Sequence, residues 1–150
     1  MSPEVERETI QLELDYRTYF EHWRNWETFE DRFDGVNGVY AFRLKRAFGR
    51  LRGSSDILYI GKAEQDPARN KRPGIWHRLN NYRQPNSGSS ARLRQVEACF
   101  GGRSKIEYAY RECENPAEAE RALLDDYYAR HMEMPPLNRA SGKRSQGNAS

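Results

Sequence analysis

A chain of 150 residues with 37% hydrophobic content can close one core but hardly two, so a single active site is expected. It has no run of 18 apolar residues, and its start, Met1-Ser2-Pro3-Glu4, lacks the basic and apolar stretches of a secretory signal, which argues against a spanning helix and for the cytoplasm. The net charge of +3 hides a polarity: residues 35 to 96 carry thirteen Lys and Arg against three Asp and Glu, while the first 34 carry ten acids and four bases, so the middle is either the footprint of a phosphate-backbone partner or a solvated basic surface.

In chain order, Ile10, Leu12, Leu14 and Tyr16 alternate with polar residues and predict a short strand. Tyr19, Trp23, Trp26 and Phe33 recur at nearly helical spacing and predict a helix after it. Val36 to Leu44 and Ile57 to Gly61 are β-rich runs joined by a basic, glycine-containing loop, the pattern of two paired strands. Ile75, Leu79 and Tyr82 fall at i, i+4 and i+7 of a short amphipathic helix. After a loop over 84–90, a second helix should carry Leu93, Val96 and Phe100 on one face and stop at Gly101-Gly102. Ile106, Tyr108 and Tyr110 alternate as a third strand. The last helix has Asn115 at its N-cap, Pro116 in its first turn and Glu118 three residues after the cap, and should reach about Ala129. Beyond Leu137 the chain is small, polar and basic, the composition of a tail.

Some residues sit oddly for a purely structural role. Glu120 borders the Leu123, Leu124 and Tyr127 stripe, and an inward carboxylate needs a cation, a metal or an arginine beside it; a salt-bridged rim position is the alternative. Arg78 lies three residues from Ile75 and four from Tyr82, so it should point inward or to a cleft edge, suited to bidentate phosphate binding or to pairing with Glu120. Tyr40 shares the parity of Phe42 and Leu44, and Tyr59 that of Ile57, which makes each either a core aromatic or one of two hydroxyls converging beside a basic cleft. Cys99 and Cys113 form no CxxC and have no nearby His pair, so neither zinc nor a disulfide framework is suggested.

Gly38-Val39-Tyr40, followed by Tyr59-Ile60-Gly61-Lys62-Ala63, resembles the paired signature of the GIY-YIG nucleases. Arg78 in Arg-x-x-x-Tyr, Glu120 in Glu-x-x-Leu-Leu and Asn138 closing Pro135-Pro136-Leu137-Asn138 follow in the family's order. The resemblance implies an α+β fold, a small three-stranded mixed or antiparallel sheet flanked by helices, over residues 35–139. Residues 1–34 are then an acidic extension packing on that domain, and 140–150 a flexible tail. The link from Ala63 to Arg78 resembles restriction-enzyme members, whereas Tyr82, where homing endonucleases often carry His, resembles the repair branch.

The implied activity is divalent-metal-dependent hydrolysis of DNA phosphodiester bonds, with a non-catalytic DNA-binding or scaffolding protein as the alternative. Glu120 would hold Mg²⁺ or Mn²⁺. Tyr40 would orient or deprotonate the attacking water, which for a phenol of pKa about 10 requires cations such as Lys62 or Arg78 to lower it. Arg78 would clamp the phosphate, Tyr59 would bond a phosphate oxygen or the nucleophile, and Lys62 would add positive charge at the cleft mouth. Tyr82 is a further substrate-binding candidate, Asn138 would hold the site together through its amide, and His77 should be exposed on another helical face. No nucleotide cofactor is expected, because Asp56 stands where a phosphate-binding loop before Gly61-Lys62 needs its first glycine. No membrane partner is expected either, and a restriction role would imply a homodimer.

Overall fold

The computed structural model describes residues 12–29, 36–64, 74–85 and 88–138. Along these the order is α1 (Tyr16–Tyr19), β1 (Arg24–Asn25), a 3-10 turn (Trp26–Thr28), β2 (Gly38–Gly49), β3 (Ser54–Ala63), α2 (Ile75–Asn81), α3 (Gly88–Phe100), a second 3-10 turn (Arg103–Lys105), β4 (Ile106–Glu112) and α4 (Pro116–His131). The class is α+β. The sheet has four strands in the order β1-β4-β2-β3, not the expected three, and every described pairing is antiparallel. The added strand is two residues long: Arg24 and Asn25 pair with Tyr108 and Glu107.

The largest departure from the sequence pattern lies before β2. Residues 12–15 carry no regular structure, and Tyr16 opens a helical turn instead of ending a strand, because the Asp15 side chain accepts from the Arg17 amide. The helix expected over the Tyr19–Phe33 aromatics is absent from the described part of that stretch. Phe20 is extended, β1 follows, and the Asn25 side chain accepts from the Glu27 amide to start the 3-10 turn. The aromatic spacing has another cause: Tyr19 and Trp23 pack against one core layer and Trp26 lies in the other. Ile10, Phe33 and the tail after Asn138 lie outside the described residues.

The sheet is buried on both faces. Tyr40, Phe42 and Leu44 of β2, with Ile106 and Tyr108 of β4, face α2 and α3 through Ile75, Leu79 and Leu93, and Trp26 completes this layer. Val39 and Ala41, with Ile57, Ile60 and Ala109, face Ala119, Leu123 and Tyr127 of α4, together with Tyr16 and Phe20. Ala41 and Ala109 are cross-strand partners with no exposed surface, so the middle of the sheet is flat where α4 crosses it.

β3 contains a bulge. Phe42 pairs with Tyr59 but Arg43 pairs with Ile57, so Leu58 is an extra residue with no partner in β2. Side chains before and after it therefore exchange faces: Ile57 packs under α4, whereas Leu58 and Tyr59 pack in the α2 and α3 layer. The expected shared parity of Ile57 and Tyr59 fails for this reason.

The helices differ from expectation at their ends. α3 begins at Gly88, inside the expected 84–90 loop, and stops at Gly101 and Gly102, both at φ +103°. Leu93 is fully buried, but Phe100 is 39% exposed on the last turn rather than in the core. α4 runs to His131 and closes on Met132 in the left-handed region, at φ 64°. Asn115 stands at its N-cap without a side-chain cap bond, so the expected capping box does not form. Among the described residues no helix is long and apolar enough to cross a membrane.

Candidate active site

The two signature glycines are explained by close approach. Gly38 pairs with Glu112 at the head of β2, and a Cβ there would run into the Arg111 carbonyl oxygen. Gly61 pairs with Tyr40, and a Cβ there would stand 2.8 Å from the Tyr40 Cζ and Oη and 2.5 Å from Tyr59 Cε2. The missing side chain at Gly61 is what lets the two tyrosine rings lie side by side.

Tyr82, one turn after Arg78, closes a triangle with them. The ring centroids are 6.0 Å apart for Tyr40 and Tyr59, 6.0 Å for Tyr40 and Tyr82, and 6.1 Å for Tyr59 and Tyr82. The Tyr40 and Tyr82 hydroxyls share a hydrogen bond of 3.1 Å. Tyr40 is 1% exposed, Tyr82 is buried and Tyr59 is half-buried, so Tyr59 is the member that reaches the surface.

Burial sets the chemistry of this triangle. It pushes the Tyr40 phenol well above its ordinary pKa, and the negative charges that Tyr82 and Tyr59 would carry push the same way; the Arg78 charge lowers it by less. Tyr82 is raised by the same burial and by Tyr59. The condition for Tyr40 to deprotonate water, a pKa lowered by Lys62 or Arg78, is therefore not met. Both phenols are neutral hydrogen-bonding groups at any physiological pH.

Glu120 is half-buried on α4. Among the described residues its carboxylate makes no hydrogen bond or ion pair. Burial raises its pKa above the ordinary glutamate value; Lys62 pulls it down, Glu64 pushes it up and Arg78 pulls it down. Residues far apart in sequence, on β3, just past its end and on α2, thus act on one carboxylate of α4.

Two cations stand differently from expectation. Arg78 is exposed, not inward, while Ile75 and Leu79 beside it are fully buried. It has no ion-pair partner among the described residues and does not pair with Glu120, although its charge acts on Tyr40, Tyr82 and Glu120, which puts it at the rim. Lys62 is not a lone cation: its Nζ lies 3.1 Å from Glu64 Oε1. Sequence reasoning missed Glu64, whose only signal is its i+2 position after Lys62 on a strand. His77, expected to be exposed, is half-buried with its ring edge-on to Trp76.

Asn138 is fully employed by the fold. Its Oδ1 accepts from the Ile60 amide at 2.9 Å and its Nδ2 donates to the Ile60 carbonyl at 2.8 Å. β3 is the sheet's edge strand, and this side chain satisfies the outward backbone groups of Ile60 as a neighbouring strand would. The amide acts on the site through Ile60, between Tyr59 and Gly61, with Oδ1 and one of the two Nδ2 hydrogens committed to that residue.

Among the described residues no group of three or more His, Cys, Asp or Glu converges as a cage. A magnesium-type ion does not need one, since it keeps several waters and takes one or two carboxylates plus substrate phosphate oxygens. A half-buried glutamate without a paired cation fits that single-carboxylate mode. Comparisons with protein-family models, with curated proteins and with solved structures found no match.

Proposed function

We propose that the chain is a divalent-metal-dependent endonuclease that hydrolyses DNA phosphodiester bonds, with a site of the kind its GIY-YIG resemblance implies. The observation that carries this reading is the unpaired Glu120 carboxylate under the joint influence of Lys62, Glu64 and Arg78, beside a tyrosine triangle built around Gly61. A structural glutamate at that depth is ordinarily neutralised by a direct ion pair, because an uncompensated buried charge costs several kcal/mol. Glu120 has none among the described residues.

In this reading Glu120 would hold the Mg²⁺ or Mn²⁺, which when bound would supply charge stabilisation at the leaving oxygen. Arg78, exposed and unpaired, clamps the scissile phosphate through its fork of donors. Tyr59 reaches the surface and donates a hydrogen bond to a phosphate oxygen or orients the attacking water. Tyr40 and Tyr82 act as neutral phenols: their shared hydrogen bond fixes the Tyr59 wall, and they orient rather than take a proton. Lys62, shared with Glu64, contributes a partly neutralised charge at the mouth.

The test is cleavage of supercoiled plasmid by purified protein with Mg²⁺ or Mn²⁺, with EDTA, Glu120→Ala and Arg78→Ala as controls. Nicked or linear product that disappears with EDTA and in both variants is the expected result. Wild type that binds plasmid and leaves it intact in both metals replaces this reading with a DNA-binding protein.

A further inference from the structure

At the other end of β2 from Tyr40 there is a concavity of about 340 Å³, walled by Leu44, Lys45, Arg46, Phe100, Ser104 and Lys105. Its position follows from elements already described. α3 ends at Phe100, the two glycines turn the chain, and the 3-10 turn Arg103–Lys105 brings Lys105 back towards the β2 segment at 44–46. Gly101 allows this turn through its φ of +103°, with the Lys105 stem in ordinary contact range beside it.

Three features of this pocket point to one class of ligand. First, it carries three cations and no carboxylate among its walls, and none of Lys45, Arg46 and Lys105 has an ion-pair partner among the described residues. One cation would suffice to complement the carbonyl end of α3; three exceed that need. Second, Phe100 is 39% exposed in the midst of these charges, with the Arg46 guanidinium over one face of its ring, 5.7 Å from the centroid. An aromatic face inside a cationic wall is a stacking platform with phosphate partners beside it. Third, the volume is at the lower end of small-ligand sites, enough for a planar ring system rather than a helix face.

We propose that this pocket binds single-stranded nucleic acid, with one base stacked on Phe100 and neighbouring phosphates held by Lys45, Arg46 and Lys105. Duplex DNA would supply the phosphates but not the base, because the face of a paired base is covered by its neighbours in the stack. Residues 44–46 lie four to six positions from Tyr40 along β2, roughly 13–20 Å at strand rise, so the pocket would hold a strand a few nucleotides from the candidate active site. The binding inference does not depend on whether that site cleaves.

The test is fluorescence anisotropy of a short labelled oligo-dT, titrated with full-length Glu120→Ala protein in EDTA so that no strand can be cut. The expected result is measurable binding that falls roughly tenfold in Phe100→Ala, the loss of about one stacked base. In the Lys45→Ala/Arg46→Ala/Lys105→Ala variant it falls at least as far, and the slope of log affinity against log salt drops by about 2, the value for three phosphate contacts on a single strand. These side chains are exposed, so unchanged thermal melting is expected to accompany both effects. The proposal fails if the parent does not bind oligo-dT, or if neither variant weakens binding. It fails equally if a blunt duplex of the same length shows the same Phe100 dependence, or if poly-glutamate displaces the oligonucleotide as well as unlabelled oligo-dT does, which would point to an acidic protein.

Discussion

Replacing Asn138 by alanine isolates one interaction with a calculable cost. The change removes hydrogen bonds of 2.9 and 2.8 Å to the amide and carbonyl of Ile60, a residue with no exposed surface. Loss of a typical hydrogen bond costs about 1 kcal/mol, but a buried partner left unsatisfied raises that to about 1–3 kcal/mol per group. The expected destabilisation is therefore about 2–6 kcal/mol, towards the lower end if water enters the space vacated beside the edge strand. For a domain of this size that is a fall in Tm on the order of 10 °C. Asn138→Asp is the sharper variant: its carboxylate can still accept from the Ile60 amide but sets an oxygen against the Ile60 carbonyl, so it should lose at least as much as alanine. Urea unfolding gives the free energies, and amide hydrogen exchange at Ile60 reports the bond itself. Destabilisation below about 0.5 kcal/mol with Ile60 protection unchanged would refute the assignment of this side chain to the edge of β3.

Gly61→Ala should destabilise by about 1–3 kcal/mol through overpacking, because the half-buried Tyr59 ring can turn away from the new methyl group while the buried Tyr40 cannot; a thermal melt indistinguishable from wild type would contradict the close approach. The phenols of Tyr40, Tyr82 and Tyr127 all titrate above their ordinary pKa of 10, Tyr127 at about 12, mainly because of burial. A raised folded-state pKa means that the stability these groups contribute is fully present below pH 10 and is lost as pH rises through the folded values. The urea midpoint should thus fall above about pH 10, with these three tyrosinates absent from the ultraviolet spectrum of the folded protein at that pH; their titration near pH 10 in a still-folded protein would show that they are not buried as described.

Much of the sheet was legible in the sequence because period-two alternation survives wherever strands are regular: β2, β3 and β4 stand where the apolar runs placed them. The pattern failed where a local event reset it. The extra residue at Leu58 cannot be seen in alternation, yet it moves Tyr59 to the face opposite Ile57 and so brings it to Tyr40 and Tyr82. Before β2, the spacing of Tyr19, Trp23 and Trp26 suggested a helix, but Tyr19 and Trp23 pack on one side of a sheet and Trp26 on the other, and spacing carries no information about which side. Arg78 falls on the arithmetic stripe of α2 and is nonetheless exposed, since a long side chain on a two-turn helix can leave the apolar face for the rim. Glu120 was legible as an anomaly, being a carboxylate beside a core stripe, and it is half-buried. Glu64 and the employment of Asn138 at Ile60 were not, because both depend on which strand lies at the sheet edge and on where its end points.

The segment before β2 supplies Trp26 to one core layer and Tyr16 to the other, and its anchors are remote in sequence. The Tyr16 amide donates to Asp126 across 110 residues, and its hydroxyl shares a hydrogen bond with His131 across 115. During synthesis neither layer can be finished when the hairpin of β2 and β3 emerges: the layer holding Tyr16 waits for α4, and Trp26 waits for Glu97 of α3, which accepts its indole N–H. The hairpin thus emerges while the early aromatics are still without their burial partners, and assembly should be governed by the slow closure of these long loops rather than by local helix formation.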